Sequence, residues 1–236
     1  YVYEDGHILN KTIDYNPGLF KLFDEGIVNC RDHVVRMIQK KETDETTHLV
    51  NLIDIEISDN TITLMNNGNG IDIEKHPTYD IWIPELIFGH LRTSTNYNKE
   101  EEKITGGKNG FGFKLVLIWS TYGMIETIDS TRKLKYTQEF ETNLDVIHKP
   151  KISKCSKKPY TLVKFKPDYK RLGLSELSKD MISLFHRRVY DIAGITTKDV
   201  KVKLNNETLD VKNFNHYTEL YNKDDKVSED QDRWSY

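Results

Sequence analysis

A chain of 236 residues with 37% hydrophobic and 11% aromatic content has enough apolar side chain for a core of its own, which excludes a disordered tail. The 34 basic residues against 37 acidic ones leave a net charge of −3, so the overall basic field of a dedicated nucleic-acid binder is missing and any DNA contact is expected to be local or made by another domain. Cys30 and Cys155 have no CxxC partner, which removes a paired-cysteine zinc site and points to a reducing, intracellular compartment. No apolar run approaches the ~18 residues of a membrane helix, so no membrane partner is expected. The start, Tyr1-Val2-Tyr3-Glu4-Asp5, carries no signal-peptide pattern.

Asn16-Pro17 predicts the opening of a long helix, with Asn as N-cap and Pro in the first turn. Phe23, Ile27, Cys30 and Val34 follow at helical spacing. Glu25, Asn29, Asp32 and Arg36 repeat that spacing two positions away, about 200° round the helix, so a polar stripe lies opposite the apolar one. By pattern alone such a stripe is a solvated face. Residues 49–57 alternate, with Ile53, Ile55 and Ile57 on one side, and Ser58-Asp59-Asn60 turns the chain into a second strand over 61–65. That strand is expected to end in the polar turn Asn66-Asn67-Gly68-Asn69-Gly70-Ile71, whose glycines permit a close backbone approach.

Residues 83–89 predict a short helix with a glycine stop. After Arg92 some twenty residues show no periodicity, a length at which loops are usually functional or disordered. This stretch runs through Thr93-Ser94-Thr95-Asn96-Tyr97 to Gly106-Gly107-Lys108-Asn109-Gly110-Phe111-Gly112-Phe113-Lys114, then turns apolar at Leu115 in what reads as a buried helix. A glycine-rich loop running into a helix start offers unpaired N–H groups to a phosphate. Strands are predicted over 124–128, 134–140 and 162–165, a helix over 175–192 capped by Ser175, and a last hairpin around Asn205-Asn206-Glu207. Lys149, Lys151, Lys154, Lys157 and Lys158 form the one basic cluster, expected to be a solvated loop. The order of elements indicates an α+β sandwich with a mixed, mostly antiparallel sheet and helices on one face.

A P-loop needs GxxxxGK[ST], which residues 107–114 do not supply, and a dinucleotide fingerprint needs GxGxxG directly after a first strand, which is also missing. What remains is Glu25-x-x-x-Asn29 on a helix, Asn66-Asn67-Gly68-x-Gly70 at a strand end, and a glycine segment ending in Lys114. At this order and spacing the trio resembles the GHKL, or Bergerat, ATPases. The flanking segments Pro17-Gly18-Leu19-Phe20-Lys21-Leu22-Phe23-Asp24-Glu25, Ile83-Pro84-Glu85-Leu86-Ile87-Phe88-Gly89-His90-Leu91, Thr93-Ser94-Thr95-Asn96-Tyr97 and Thr105-Gly106-Gly107-Lys108-Asn109-Gly110-Phe111-Gly112 are similar to the ATPase domain of eukaryotic-type DNA topoisomerase II.

The resemblance implies ATP and Mg2+ as cofactors. Glu25 takes the place of the glutamate that aligns a water for attack on the γ-phosphate, and Asn29 that of the magnesium ligand. Asn66 matches the reader of the adenine amino group, with Gly68 and Gly70 letting the base lie against backbone. Ser94, Thr95 and Asn96 match the segment that bonds ribose and phosphates. Gly107, Lys108, Asn109, Gly110, Phe111, Gly112, Phe113 and Lys114 match the lid over the triphosphate, and Arg36 a second phosphate contact. His33, Cys30-Arg31 and Phe113 depart from the residues that eukaryotic-type enzymes usually carry, and Lys21 is not the histidine that pairs with the glutamate in bacterial gyrase.

The resemblance further implies a domain over residues 1–222 and a linker toward a transducer domain over 223–236. The strap and transducer that close the dimer in this family are expected to lie outside the chain, which alone is expected to be monomeric. Duplex DNA is the partner of the full-length homodimer. The expected location is the nucleus for a cellular source, or the host cell, virion or viral factory for a large DNA virus. The alternatives carried beside it are another GHKL clamp, of chaperone or mismatch-repair type, and a nucleotide-binding scaffold without hydrolysis.

Overall fold

The computed structural model of the chain describes residues 1–58, 60–90 and 112–221. A short hairpin, β1 (Val2–Glu4) with β2 (His7–Leu9), precedes the long helix α1 (Pro17–Thr43). Asn16 caps that helix by accepting from Leu19 N at 2.9 Å, and Pro17 supplies the preset φ of its first turn. The predicted apolar set is buried along it. The polar set departs from a solvated face: Asp32 is 5% exposed, Glu25 and Asn29 are half-buried, and Arg36 is exposed.

β3 (Leu52–Ser58) and β4 (Thr61–Asn67) form the expected hairpin, with Ile53, Ile55 and Ile57 facing Asn66, Leu64 and Ile62. The second strand runs two residues further than its hydrophobic pattern. Asn67 causes this, because its Oδ1 accepts from Asn51 N and Leu52 N, both at 2.9 Å, and ties the end of β4 to the start of β3. Asn66 is therefore a strand residue on the buried face and not part of the turn.

After α2 (Ile83–Gly89) and α3 (Gly112–Ile118) come β5 (Ser120–Asp129), β6 (Leu134–Glu141), β7 (Val146–Ile147), β8 (Lys151–Lys154) and β9 (Tyr160–Pro167). The chain then forms α4 (Lys179–Gly194), β10 (Lys201–Leu204), β11 (Glu207–Thr208) and α5 (Phe214–Thr218). Among the described residues one sheet runs β11-β10-β3-β4-β9-β5-β6-β7, with β8 also on β6, and every pair is antiparallel except β10 with β3. The inner face is a regular grid: Ile55, Leu64, Val163 and Ile125 stand in one row, and Ile57, Ile62, Phe165 and Gly123 in the next. α1 and α4 cover this face, with Phe23 and Phe185 stacked at 4.2 Å between them.

Three local expectations shift. The fourth helix starts later than predicted, because Ser178 and not Ser175 caps it, accepting from Met181 N at 3.2 Å, while Leu177 N is drawn off to Asn60 Oδ1 at 2.7 Å. Part of the lysine cluster, Lys151–Lys154, is an edge strand on β6 and not loop. Lys114 lies inside α3, which begins at Gly112.

Candidate active site

Gly26 fixes how deep α1 sits. A Cβ there would come 2.2 Å from Leu64 Cδ1, so helix and β4 touch at van der Waals range only because the position is glycine. The neighbouring Glu25 is thereby held at the rim of the core. Its Oε1 accepts from the Lys21 ammonium at 2.9 Å, one helical turn earlier, and that bond holds Lys21 above the ordinary lysine range. Its Oε2 faces the start of α3: a Cβ on Gly112 would lie 2.1 Å from that oxygen. The carboxylate thus bridges the first helix and the end of the glycine-rich segment.

Asn29 is one turn further along the same face, and its Nδ2 donates to the backbone oxygen of Glu25. This bond assigns the amide, since a carbonyl can only accept, and leaves Oδ1 as the atom available to a cation. No group of three or more His, Cys, Asp or Glu able to hold a metal occurs among the described residues. A single amide oxygen suits Mg2+, which ordinarily takes most of its oxygens from phosphate and water, so the donor set fits that ion.

Asn66 opens the polar end of the inner face. It is 8% exposed, and its Nδ2 donates to Asn67 O at 3.0 Å, which leaves Oδ1 as the acceptor it presents. Register places Ile53, Asn66, Thr161 and Thr127 in one row across four strands, so two threonines extend the polar floor. Thr127 Oγ1 accepts from Ile71 N at 3.0 Å and lies 3.1 Å from Thr161 Oγ1. Sequence reasoning missed this pair. The signal was there as a threonine close to the end of β5 and another close to the start of β9, but their common row is visible only once β5 and β9 are known to be antiparallel neighbours.

The two turn glycines approach protein. A Cβ on Gly70 would lie 1.9 Å from Ile128 O and 2.9 Å from Thr127 Oγ1; at Gly68, where φ is +102°, it would lie 2.7 Å from Val50 Cγ2 and 3.2 Å from His33 Nε2. His33 Nε2 bonds Asn69 O at 2.9 Å, so α1 and the turn are pinned together, and Nε2 carries the proton because the carbonyl can only accept. Burial, reinforced by the nearby Arg36 charge, pushes the His33 imidazole down to about 4, so it is neutral at pH 7.

Arg36 stands three turns beyond Glu25 on the same helix face, ~16 Å along the axis. Phe113 turns toward the helices, edge-on to Phe88 at 5.3 Å and close beside Gly26, and so anchors the end of the glycine-rich segment. Lys114 is 2% exposed, and burial lowers its ammonium from the ordinary lysine range. The structure therefore brings together Glu25, Asn29, Gly112, Phe113 and Lys114 at one end, and Asn66, Gly68 and Gly70 at the sheet end. Ser94, Thr95, Asn96, Gly107, Lys108, Asn109, Gly110 and Phe111 lie outside the described residues.

A polar-striped helix laid over the acceptor-lined end of a mostly antiparallel sheet is the architecture of the GHKL ATPase class. No family model matches the chain. DNA topoisomerase 2 of Saccharomyces cerevisiae is 45% identical over 215 residues, 91% of this chain, and that of Acanthamoeba polyphaga mimivirus is 43% identical over 218 residues, 92% of this chain. The chain spans 14% and 16% of those two relatives. The crystal structure of the ATPase region of Saccharomyces cerevisiae topoisomerase II matches with a TM-score of 0.84 and 43% identity, over 93% of this chain and 57% of that one. The chain belongs to the family of ATPase regions of eukaryotic-type DNA topoisomerase II.

Proposed function

We propose that this chain is the ATP-driven gate of a type II DNA topoisomerase, with residues 1–222 as its nucleotide-binding domain. The observation that carries it is the position of the Glu25 carboxylate, shared between the start of α1 and the start of α3, on the same helix face as Asn29. In that role Glu25 orients a water toward the γ-phosphate and accepts its proton as the phosphoryl group departs. Asn29 would hold Mg2+ through Oδ1; the ion, when bound, neutralises charge on the phosphate oxygens. Asn66 Oδ1 accepts from the adenine N6 amine, over the floor made by Thr127 and Thr161. Ser94, Thr95 and Asn96 bond ribose and phosphate. Gly107, Lys108, Asn109, Gly110, Phe111, Gly112, Phe113 and Lys114 cover the triphosphate, with Arg36 as a further phosphate contact.

The whole enzyme would act as a homodimer on duplex DNA, and cleavage would reside outside this chain. The test is relaxation of supercoiled plasmid by the full-length enzyme. Relaxation should depend on ATP, and equal rates with and without nucleotide would overturn the proposal.

A further inference from the structure

Lys21 is exposed, yet its ammonium is held from two sides. It donates to Glu25 Oε1 at 2.9 Å and to Asp24 Oδ2 at 3.2 Å. The other oxygen of Asp24 accepts from Arg188 Nε on α4 at 2.8 Å, and Arg188 is braced in turn by Asp191, 3.6 Å from its Nη1. Asp191 also accepts from the Tyr217 hydroxyl in α5. The i,i+4 pair of Lys21 with Glu25 is therefore backed by a second partner, Asp24, which tertiary contacts with α4 and, through Asp191, α5 hold in place.

We propose that Lys21 is a positioning residue for ATP hydrolysis, holding Oε1 of Glu25 so that Oε2 stays aimed at the space beside Gly112. The inference rests on the assignment of Glu25 as the water-aligning carboxylate. A glutamate has three side-chain torsions, and a carboxylate oxygen that must face one water loses rate when it wanders. Lys21 bonds one oxygen, and the close backbone at Gly112 limits the other, so the two contacts together select one orientation. An exposed ion pair adds little to stability, which leaves orientation as the consequence of this contact. Asp24 and Arg188 keep the ammonium in place without touching Glu25.

Steady-state ATPase of the full-length enzyme tests this. Lys21→Ala should lower kcat by roughly 10- to 100-fold with KM for ATP within about twofold, the signature of misplacement without lost binding. Lys21→Arg should recover most of the rate, and Lys21→Met, of similar length without charge, should behave as Lys21→Ala. In a Glu25→Gln background, Lys21→Ala should cause no further loss, because the two act as one unit. If Glu25→Gln is inactive while Lys21→Ala turns over like wild type, this inference alone fails. A raised KM with unchanged kcat also overturns it, since Lys21 would then contact nucleotide. If Glu25→Gln itself retains full turnover, the assignment of Glu25 falls and this inference with it.

Discussion

Glu25 and Gly112 stand so close that a single methyl group on residue 112 would displace the carboxylate. A Cβ on residue 112 would lie 2.1 Å from Oε2 and 3.0 Å from Cδ of Glu25. The atoms it would meet are the far end of a rotatable side chain, so the clash is relieved by swinging the carboxylate away. Alanine also favours helix over glycine by ~0.5–1 kcal/mol. Gly112→Ala should therefore leave thermal stability unchanged or slightly raised while ATP turnover drops at least about tenfold. Parallel calorimetry and ATPase measurements check it; a stable variant with wild-type turnover would show that Oε2 is not used.

Gly70 gives the opposite outcome from the same kind of substitution. Here the obstructing atoms are Ile128 O at 1.9 Å and Ile128 C at 2.7 Å, which are backbone within β5 and cannot rotate aside. The turn also hangs on β5 through Ile71 N to Thr127 Oγ1 and Ile73 N to Asp129 Oδ2, both 3.0 Å. Overpacking of this kind costs about 1–3 kcal/mol, and in a chain of this size that lowers Tm by roughly 3–10 °C. Gly70→Ala should show that loss in thermal unfolding without nucleotide present. An unchanged Tm would mean that the turn lifts freely from β5.

The contrast shows where the sequence was informative. The cap at Asn16, the alternation of Ile53, Ile55 and Ile57, and the spacing of Glu25 and Asn29 are local, and each element appeared as predicted. The α+β architecture followed from them. Hidden from the sequence was everything set by strand order. Thr127 and Thr161 are 34 positions apart and share a row only because β9 lies between β4 and β5. Gly68 and Gly70 announced a close approach, but the partners, His33, Val50 and Ile128, come from other elements. The polar stripe of α1 looked solvated for the same reason: no periodicity says that Asp32 is covered. Asn67 extends β4 beyond its apolar pattern through a side-chain bond that propensity does not encode.

His33 makes a pH prediction with a definite sign. In the folded chain burial holds its pKa at about 4, whereas an unfolded histidine titrates near ~6.5. Between those values the unfolded chain binds more protons, so stability is full above ~6.5 and falls as the pH drops toward 4. The loss attributable to this group is on the order of 3 kcal/mol. His186, also lowered by burial, remains in the variant, so the comparison isolates residue 33. Urea unfolding of wild type and His33→Asn at pH 7 and pH 5 should show a smaller acid loss in the variant. Identical pH dependence would place the imidazole in solvent.

Asn66 decides whether the sheet end reads a base. Its Nδ2 is committed to Asn67 O, which leaves Oδ1 as the acceptor it presents on a buried floor. Adenine offers an N6 amine donor there, whereas hypoxanthine offers a carbonyl, which would set two acceptors against each other. A buried polar group left unpaired costs ~1–3 kcal/mol, so wild type should prefer ATP over ITP by roughly 5- to 150-fold. Asn66→Ala removes both the bond to ATP and the repulsion of ITP. It should weaken ATP binding by a similar factor, while ITP binding holds or improves, so that the preference collapses toward one. Titration calorimetry with both nucleotides on both proteins measures the four constants. A preference that survives Asn66→Ala would move adenine recognition to Thr127 and the backbone around it.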